Sequence, residues 1–154
     1  MIVHFICRGN AFRSIIAEAY LNSLELKDLS VISSGTVAAL HREQNLASHL
    51  RTVEQLKEHG IRDFAKADYG DQLTQSRVDK SDIIVCLNQR VYDDCLTRVT
   101  FSASPRVWSV TDIGEPGRVP AAESERRLFR EEAYQEIVGN VDLLVSEALR
   151  GRLA

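Results

Sequence analysis

Three pieces at the start of the chain narrow its fold more than anything else in it. Residues 2–6, Ile-Val-His-Phe-Ile, are rich in β-branched and aromatic types and predict a buried strand. Gly9 and Asn10 break that run. From Ser14 a helical period begins, with Ile16, Ala19, Tyr20 and Leu24 on one face. A buried strand turning straight into an amphipathic helix demands a sheet for the strand and a crossover for the helix.

The rest of the chain repeats the alternation. Residues 29–33 read as a second strand closed by Gly35, and 46–59 as a helix with Asn45 as N-cap. Its expected buried stripe is Leu46, Leu50, Val53 and Leu56, and Gly60 is the stop. After a long polar stretch, 82–87 is the most strand-like run of all, 89–97 a short helix, and 105–110 a fourth strand ending near Trp108. Two glycines and two prolines make 111–120 a loop. Residues 121–149 are the last helix, with Leu128, Ile137, Val141, Leu144 and Leu149 among its apolar positions. Strands alternating with helices imply parallel pairing through right-handed crossovers. The expected fold is one α/β domain over 1–154, with a four-stranded parallel sheet between helical layers. Hydrophobic residues are 44% of the 154, enough for a core without disulfide staples.

In such sheets ligands sit at the carboxyl ends of the strands, and Cys7 stands there. The segment Cys7-Arg8-Gly9-Asn10-Ala11-Phe12-Arg13-Ser14 has a Cys-x5-Arg-Ser spacing between strand and helix. A turn of that length can aim successive backbone N–H groups inward. Gly9 permits a positive φ and Asn10 tolerates one, which would make residues 8–13 a nest for a tetrahedral dianion. The helix start adds its free N–H groups and positive dipole end. Arg13 offers a planar fork to two oxygens at once. The same positive field favours a thiolate at Cys7. The Ser14 hydroxyl could donate to that sulfur and steady it as a leaving group. The chemistry these residues suit is nucleophilic attack on phosphorus through a phosphocysteine, with no metal or cofactor.

A net charge of −3 argues against a nucleic-acid partner. No apolar run reaches the roughly 20 residues that span a membrane, and the first residues lack a basic leader, so a cytoplasmic location is expected. Cys7, Cys86 and Cys95 are too few for a disulfide framework, and neither they nor His4, His41, His49 and His59 form a metal motif.

The segment resembles the low-molecular-weight protein tyrosine phosphatases, whose opening strand is followed by Cys-x-Gly-Asn-x-x-Arg-Ser and a helix bearing Ala-Glu. Cys7, Gly9, Asn10, Arg13, Ser14, Ala17 and Glu18 match in order. Ser33-Ser34-Gly35-Thr36, Gln72-Leu73-Thr74, Asp82-Ile83-Ile84-Val85, Trp108 and Asp112 are similar to later family segments. The resemblance implies Cys7 as nucleophile, Arg13 as phosphate clamp, Asn10 and Ser33 as loop supports and Asp112 as general acid and base. It implies a phosphorylated protein or small phosphate ester as partner. Oligomeric state stays open. Phe12 replaces the family's usual second cysteine and would thicken the loop's outer wall. Ile15 and Ile113 replace prolines, which leaves Glu115 as a competing acid. Arg8 is either a solvated charge or a guide for acidic substrates. Asp68 and Asp71 stand where bacterial members often carry basic residues. Two other functions fit the same nest: arsenate reduction, which needs a thiol relay, and phosphate sensing without turnover.

Overall fold

The computed structural model describes residues 1–112 and 122–151. Strands β1 (Ile2–Cys7), β2 (Ser30–Gly35), β3 (Ile83–Cys86) and β4 (Arg106–Val107) form one parallel sheet in the order β2-β1-β3-β4. Helices α1 (Arg13–Ser23), α2 (Leu46–Glu58), α3 (Gln75–Asp79), α4 (Gln89–Leu96) and α5 (Glu123–Ala148) connect and follow the strands. The α/β expectation is met, with β1 buried in the middle, as its apolar composition requires.

Alternating residues of β1 feed two cores. Val3, Phe5 and Cys7 face α1, α2 and α5, where Ile15, Ile16, Leu56, Ile137, Val141 and Leu144 are buried. Ile6 faces the other side with Cys86, Val78 of α3, and Val91 and Cys95 of α4. The sheet therefore lies between two helical layers. No helix among the described residues is long and apolar enough to cross a membrane.

Several local expectations differ from what is found. β2 ends two residues later than predicted, and β4 keeps only Arg106–Val107, because the chain then peels onto the end of β3 through Trp108 N–H to Cys86 O and Val110 N–H to Leu87 O, both 2.9 Å. Leu128 of α5 is exposed. The larger correction is α2. Its Leu46 and Leu50 are exposed, and its inward face is His49, Thr52, Gln55 and Leu56. That face meets the turn after β1, whose main chain needs hydrogen-bond donors: Thr52 Oγ1 donates to Ala11 O at 2.7 Å. Asn45 does not cap α2. It has helical backbone, because a turn already runs into it from His41.

Candidate active site

The turn between β1 and α1 is held by one residue with an unusual backbone. Asn10 has φ +53°, the left-handed region that Asn tolerates and most residues avoid. The positive φ falls on Asn10 rather than Gly9. At Gly9 a Cβ would come within 2.4 Å of Asn45 Nδ2, a side-chain end that can swing aside. Gly35, at the end of β2, has a stricter reason. A Cβ on it would stand 2.3 Å from Arg8 O and 2.8 Å from Asn10 N, so only glycine lets the turn pack over the neighbouring strand.

This fold of the turn brings hydrogen-bond donors to the Cys7 sulfur. Asn10 N–H reaches Sγ at 3.3 Å. Asn10 Nδ2 donates to Ser14 Oγ at 2.8 Å, and Ser14 Oγ and Cys7 Sγ share a hydrogen bond at 3.0 Å. The second Nδ2 hydrogen goes to Ser33 Oγ at 2.9 Å, and Ser33 in turn donates to Glu18 Oε1 at 3.1 Å. Cys7, Asn10, Ser14, Ser33 and Glu18 are all buried. Burial pushes the Glu18 carboxyl above its usual range, opposed by the Lys66 amide and ammonium and by the Ser33 hydroxyl.

Deeper in the sheet, His4 is fully enclosed. Ser81 Oγ donates to Arg77 O at 2.6 Å, so it accepts from His4 Nδ1–H at 3.1 Å; His4 Nε2 is then the acceptor for Ser34 Oγ at 2.8 Å. Burial, aided by Arg77, Lys66 and Lys80, lowers the imidazole pKa to about 3, which keeps the ring neutral.

At the mouth, Cys7, Gly9, Ala11, Phe12, Arg13, Asn45, Ser48 and Asp112 line a cavity of about 140 Å³. Arg13 is 2% exposed, and its guanidinium donates to Val110 O at 2.8 Å and stands 3.5 Å from Asp112 Oδ2. The peeled segment after β4 thus delivers both the carbonyl that orients Arg13 and the carboxylate beside it. Trp108 anchors that segment by packing on Phe5, ring centroids 5.6 Å apart.

The structure brings Cys7, Arg13 and Asp112 to one cavity, with Ser14, Asn10 and Ser33 buried behind it. Arg8 is partly exposed and faces an acidic neighbour. Its Nε lies 3.8 Å from Asp94 Oδ2, at the outer edge of the turn, and its side chain does not line the cavity. Phe12 is buried in the core cluster and also lines the cavity. Ile113 and Glu115 lie outside the described residues.

Sequence reading missed Lys66. Its ammonium donates to Asn10 Oδ1 at 2.6 Å, Asp71 Oδ2 at 2.8 Å and Ser33 O at 3.1 Å, while its backbone N–H donates to Glu18 Oε2 at 2.9 Å. The acidic positions noted in the sequence are its signal: Asp71 pairs with Lys66 and lies 3.6 Å from Arg77, and Asp68 pairs with Arg42 at 2.7 Å. Cys86 and Cys95 lie in the opposite core from Cys7, where the bond to Cys95, together with burial, pushes the Cys86 thiol up.

Residues 2–123 match the family described as Low molecular weight phosphotyrosine protein phosphatase. No curated protein matches the chain by sequence. Among solved structures, a low molecular weight protein tyrosine phosphatase from T. tengcongensis is 19% identical, with 96% of this chain and 99% of that one covered and a TM-score of 0.64. An arginine phosphatase from Geobacillus stearothermophilus is 21% identical, with 97% and 96% covered and a TM-score of 0.60. A thioredoxin-dependent arsenate reductase from Corynebacterium glutamicum is 21% identical, with 98% of this chain but 63% of that one covered and a TM-score of 0.68.

Proposed function

The chain belongs to the low molecular weight phosphotyrosine protein phosphatase family, and from that premise we propose that it hydrolyses aryl phosphate monoesters, phosphotyrosine in proteins foremost, through a phosphocysteine on Cys7. The observation that carries this reading is the Cys7 sulfur, which receives the Ser14 hydroxyl at 3.0 Å and the Asn10 amide at 3.3 Å at the floor of a cavity that Arg13 and Asp112 also line.

The roles follow from that arrangement. The substrate's phosphoryl oxygens occupy the turn 8–13, where backbone N–H groups and the start of α1 supply positive potential. They compete with Asp112 for the Arg13 guanidinium, which frees the carboxyl to face the leaving oxygen. Thiolate attack forms the S–P bond and breaks the P–O bond, and Asp112 gives its proton to the departing phenolate. A water then attacks phosphorus, its proton passes to Asp112, and the S–P bond breaks to release phosphate and the thiolate. The whole chain acts as one phosphatase domain in this reading. Three free thiols suit a reducing, cytoplasmic setting.

Cys86 and Cys95 cannot take over the second step from the opposite core, which favours water over an internal thiol relay. Turnover of p-nitrophenyl phosphate by the wild type and its loss in Cys7→Ser is the expected result. A wild type that binds phosphate but turns over nothing between about pH 5 and 7 would make the chain a phosphate sensor. A peptide panel carrying phosphotyrosine, phosphoserine or phosphoarginine tests the substrate class; a preference for phosphoarginine overturns the tyrosine assignment.

A further inference from the structure

We propose that Lys66 is a positioning residue for the second half of the reaction, acting on Cys7 through Asn10 and Ser14; the inference rests on the phosphocysteine reading above. An ammonium has three hydrogens, and Lys66 spends them on Asn10 Oδ1 at 2.6 Å, Asp71 Oδ2 at 2.8 Å and Ser33 O at 3.1 Å. Asp71 N–H also donates to Asn10 Oδ1, at 2.9 Å. Two donors on that oxygen fix the amide's orientation, since the reverse would press an NH2 group against an ammonium. The Asn10 Nδ2 hydrogens are then committed to Ser14 and Ser33. A thiolate at Cys7, which the phosphocysteine reading requires, can only accept, so the hydrogen between it and Ser14 is the Ser14 hydroxyl's, while Ser14 Oγ accepts from Asn10.

A positive charge thus sits at the far end of a chain of donors that terminates on Cys7, and each bond in it polarises the next. The same residue's backbone N–H holds Glu18 Oε2 at 2.9 Å, so both ends of Lys66 grip the frame around Ser33. The two chemical steps ask opposite things of the sulfur. In the first, its electron pair forms the bond to phosphorus. In the second, the S–P bond breaks, the pair returns to sulfur, and a donated hydrogen bond lowers the cost of that charge. Removing the Lys66 charge therefore slows phosphoenzyme hydrolysis more than phosphoenzyme formation. A role confined to holding the fold together would slow both alike.

The test is rapid-quench kinetics with p-nitrophenyl phosphate on the full chain, comparing wild type with Lys66→Met and with Lys66→Gln, which retains a donor. The burst reports formation and the steady state reports hydrolysis. Formation should stay within about threefold of wild type while hydrolysis falls about tenfold or more, the size expected for one charge-assisted hydrogen bond. In a Ser14→Ala background, Lys66→Met should change hydrolysis by less than about threefold, because the path runs through Ser14. Equal losses in both steps, no loss in either, or full additivity with Ser14→Ala overturns the proposal, as does unfolding of both Lys66 variants in a thermal melt. A wild type with neither burst nor turnover instead overturns the phosphatase reading beneath it.

Discussion

The turn after β1 has two sides that are built differently. Behind it, Asn10, Ser14, Ser33, Glu18 and Lys66 bond to one another, and their polar groups are matched donor to acceptor. In front, Asn45 and Ser48 line the mouth beside Asp112, while Leu40, Leu46 and Leu50 stand out in solvent at 73, 47 and 54% exposure. The rear leaves the sulfur one geometry. The front presents partly exposed side chains, of which Asp112 pairs with Arg13. The difference teaches that the sulfur is held from behind, while the proposed acid and the way in stand in front, so substitutions on the two sides should fail in different ways.

The sharpest break in that comparison is at the sulfur itself. Cys7→Ser should cut kcat by about 10⁴-fold or more while leaving the melting temperature nearly unchanged; residual turnover within tenfold of wild type would put the nucleophile elsewhere. On the front side, Asp112→Ala should lower kcat on phenyl phosphate by about 10³-fold, and on p-nitrophenyl phosphate by at least tenfold less, because a good leaving group needs no proton. Equal losses on both substrates would move the acid to another residue.

The two faces of α2 extend the comparison to stability. Leu56→Ala, in the core, should cost about 2–5 kcal/mol in urea denaturation. Leu50→Ser, on the exposed face, should stay within about 0.5 kcal/mol. His4 gives the rear a pH signature. Its imidazole stays neutral in the fold down to about pH 3, whereas in the unfolded chain it binds a proton below about 6.5. The unfolded state therefore gains as pH falls, and stability should decline between those values by up to about 1.4 kcal/mol per pH unit from this group. His4→Gln should flatten that slope in denaturation measured at pH 4, 5 and 6, and an unchanged slope would contradict the buried neutral ring. The smallest effect should come from Asn45→Ala at the mouth, less than about threefold in kcat/KM on p-nitrophenyl phosphate.

Sequence reading recovered the parts whose signal is local. The strand at 2–6, the Cys-x5-Arg-Ser turn and the start of α1 are contiguous, and a buried strand followed by an amphipathic period admits few folds. Asp112 was singled out through the family resemblance, by its spacing from Trp108, and it stands beside Arg13 at the cavity. Lys66 was not, because its role depends on three acceptors brought together from β2, the turn and residue 71, and the acidic positions nearby were its one trace in the sequence. The face of α2 was misread for a related reason. Hydrophobic periodicity assumes that the inward face meets apolar groups, but here it meets the main chain of the turn, so Thr52 goes in and Leu46 and Leu50 come out. Of the two residues that the sequence offered for a positive φ, Asn10 takes it, because its side-chain partners hold it there.

The central claim is that the sulfur of Cys7 takes the phosphoryl group. Quenching the wild type in acid during turnover of an aryl phosphate, and mapping the digest by mass spectrometry, tests it directly. A phosphoryl group on the peptide that carries Cys7, absent from the same peptide of Cys7→Ala, is the predicted result. Steady turnover with no phosphorylated Cys7 peptide at any quench time, or with the group on another residue, would contradict the account.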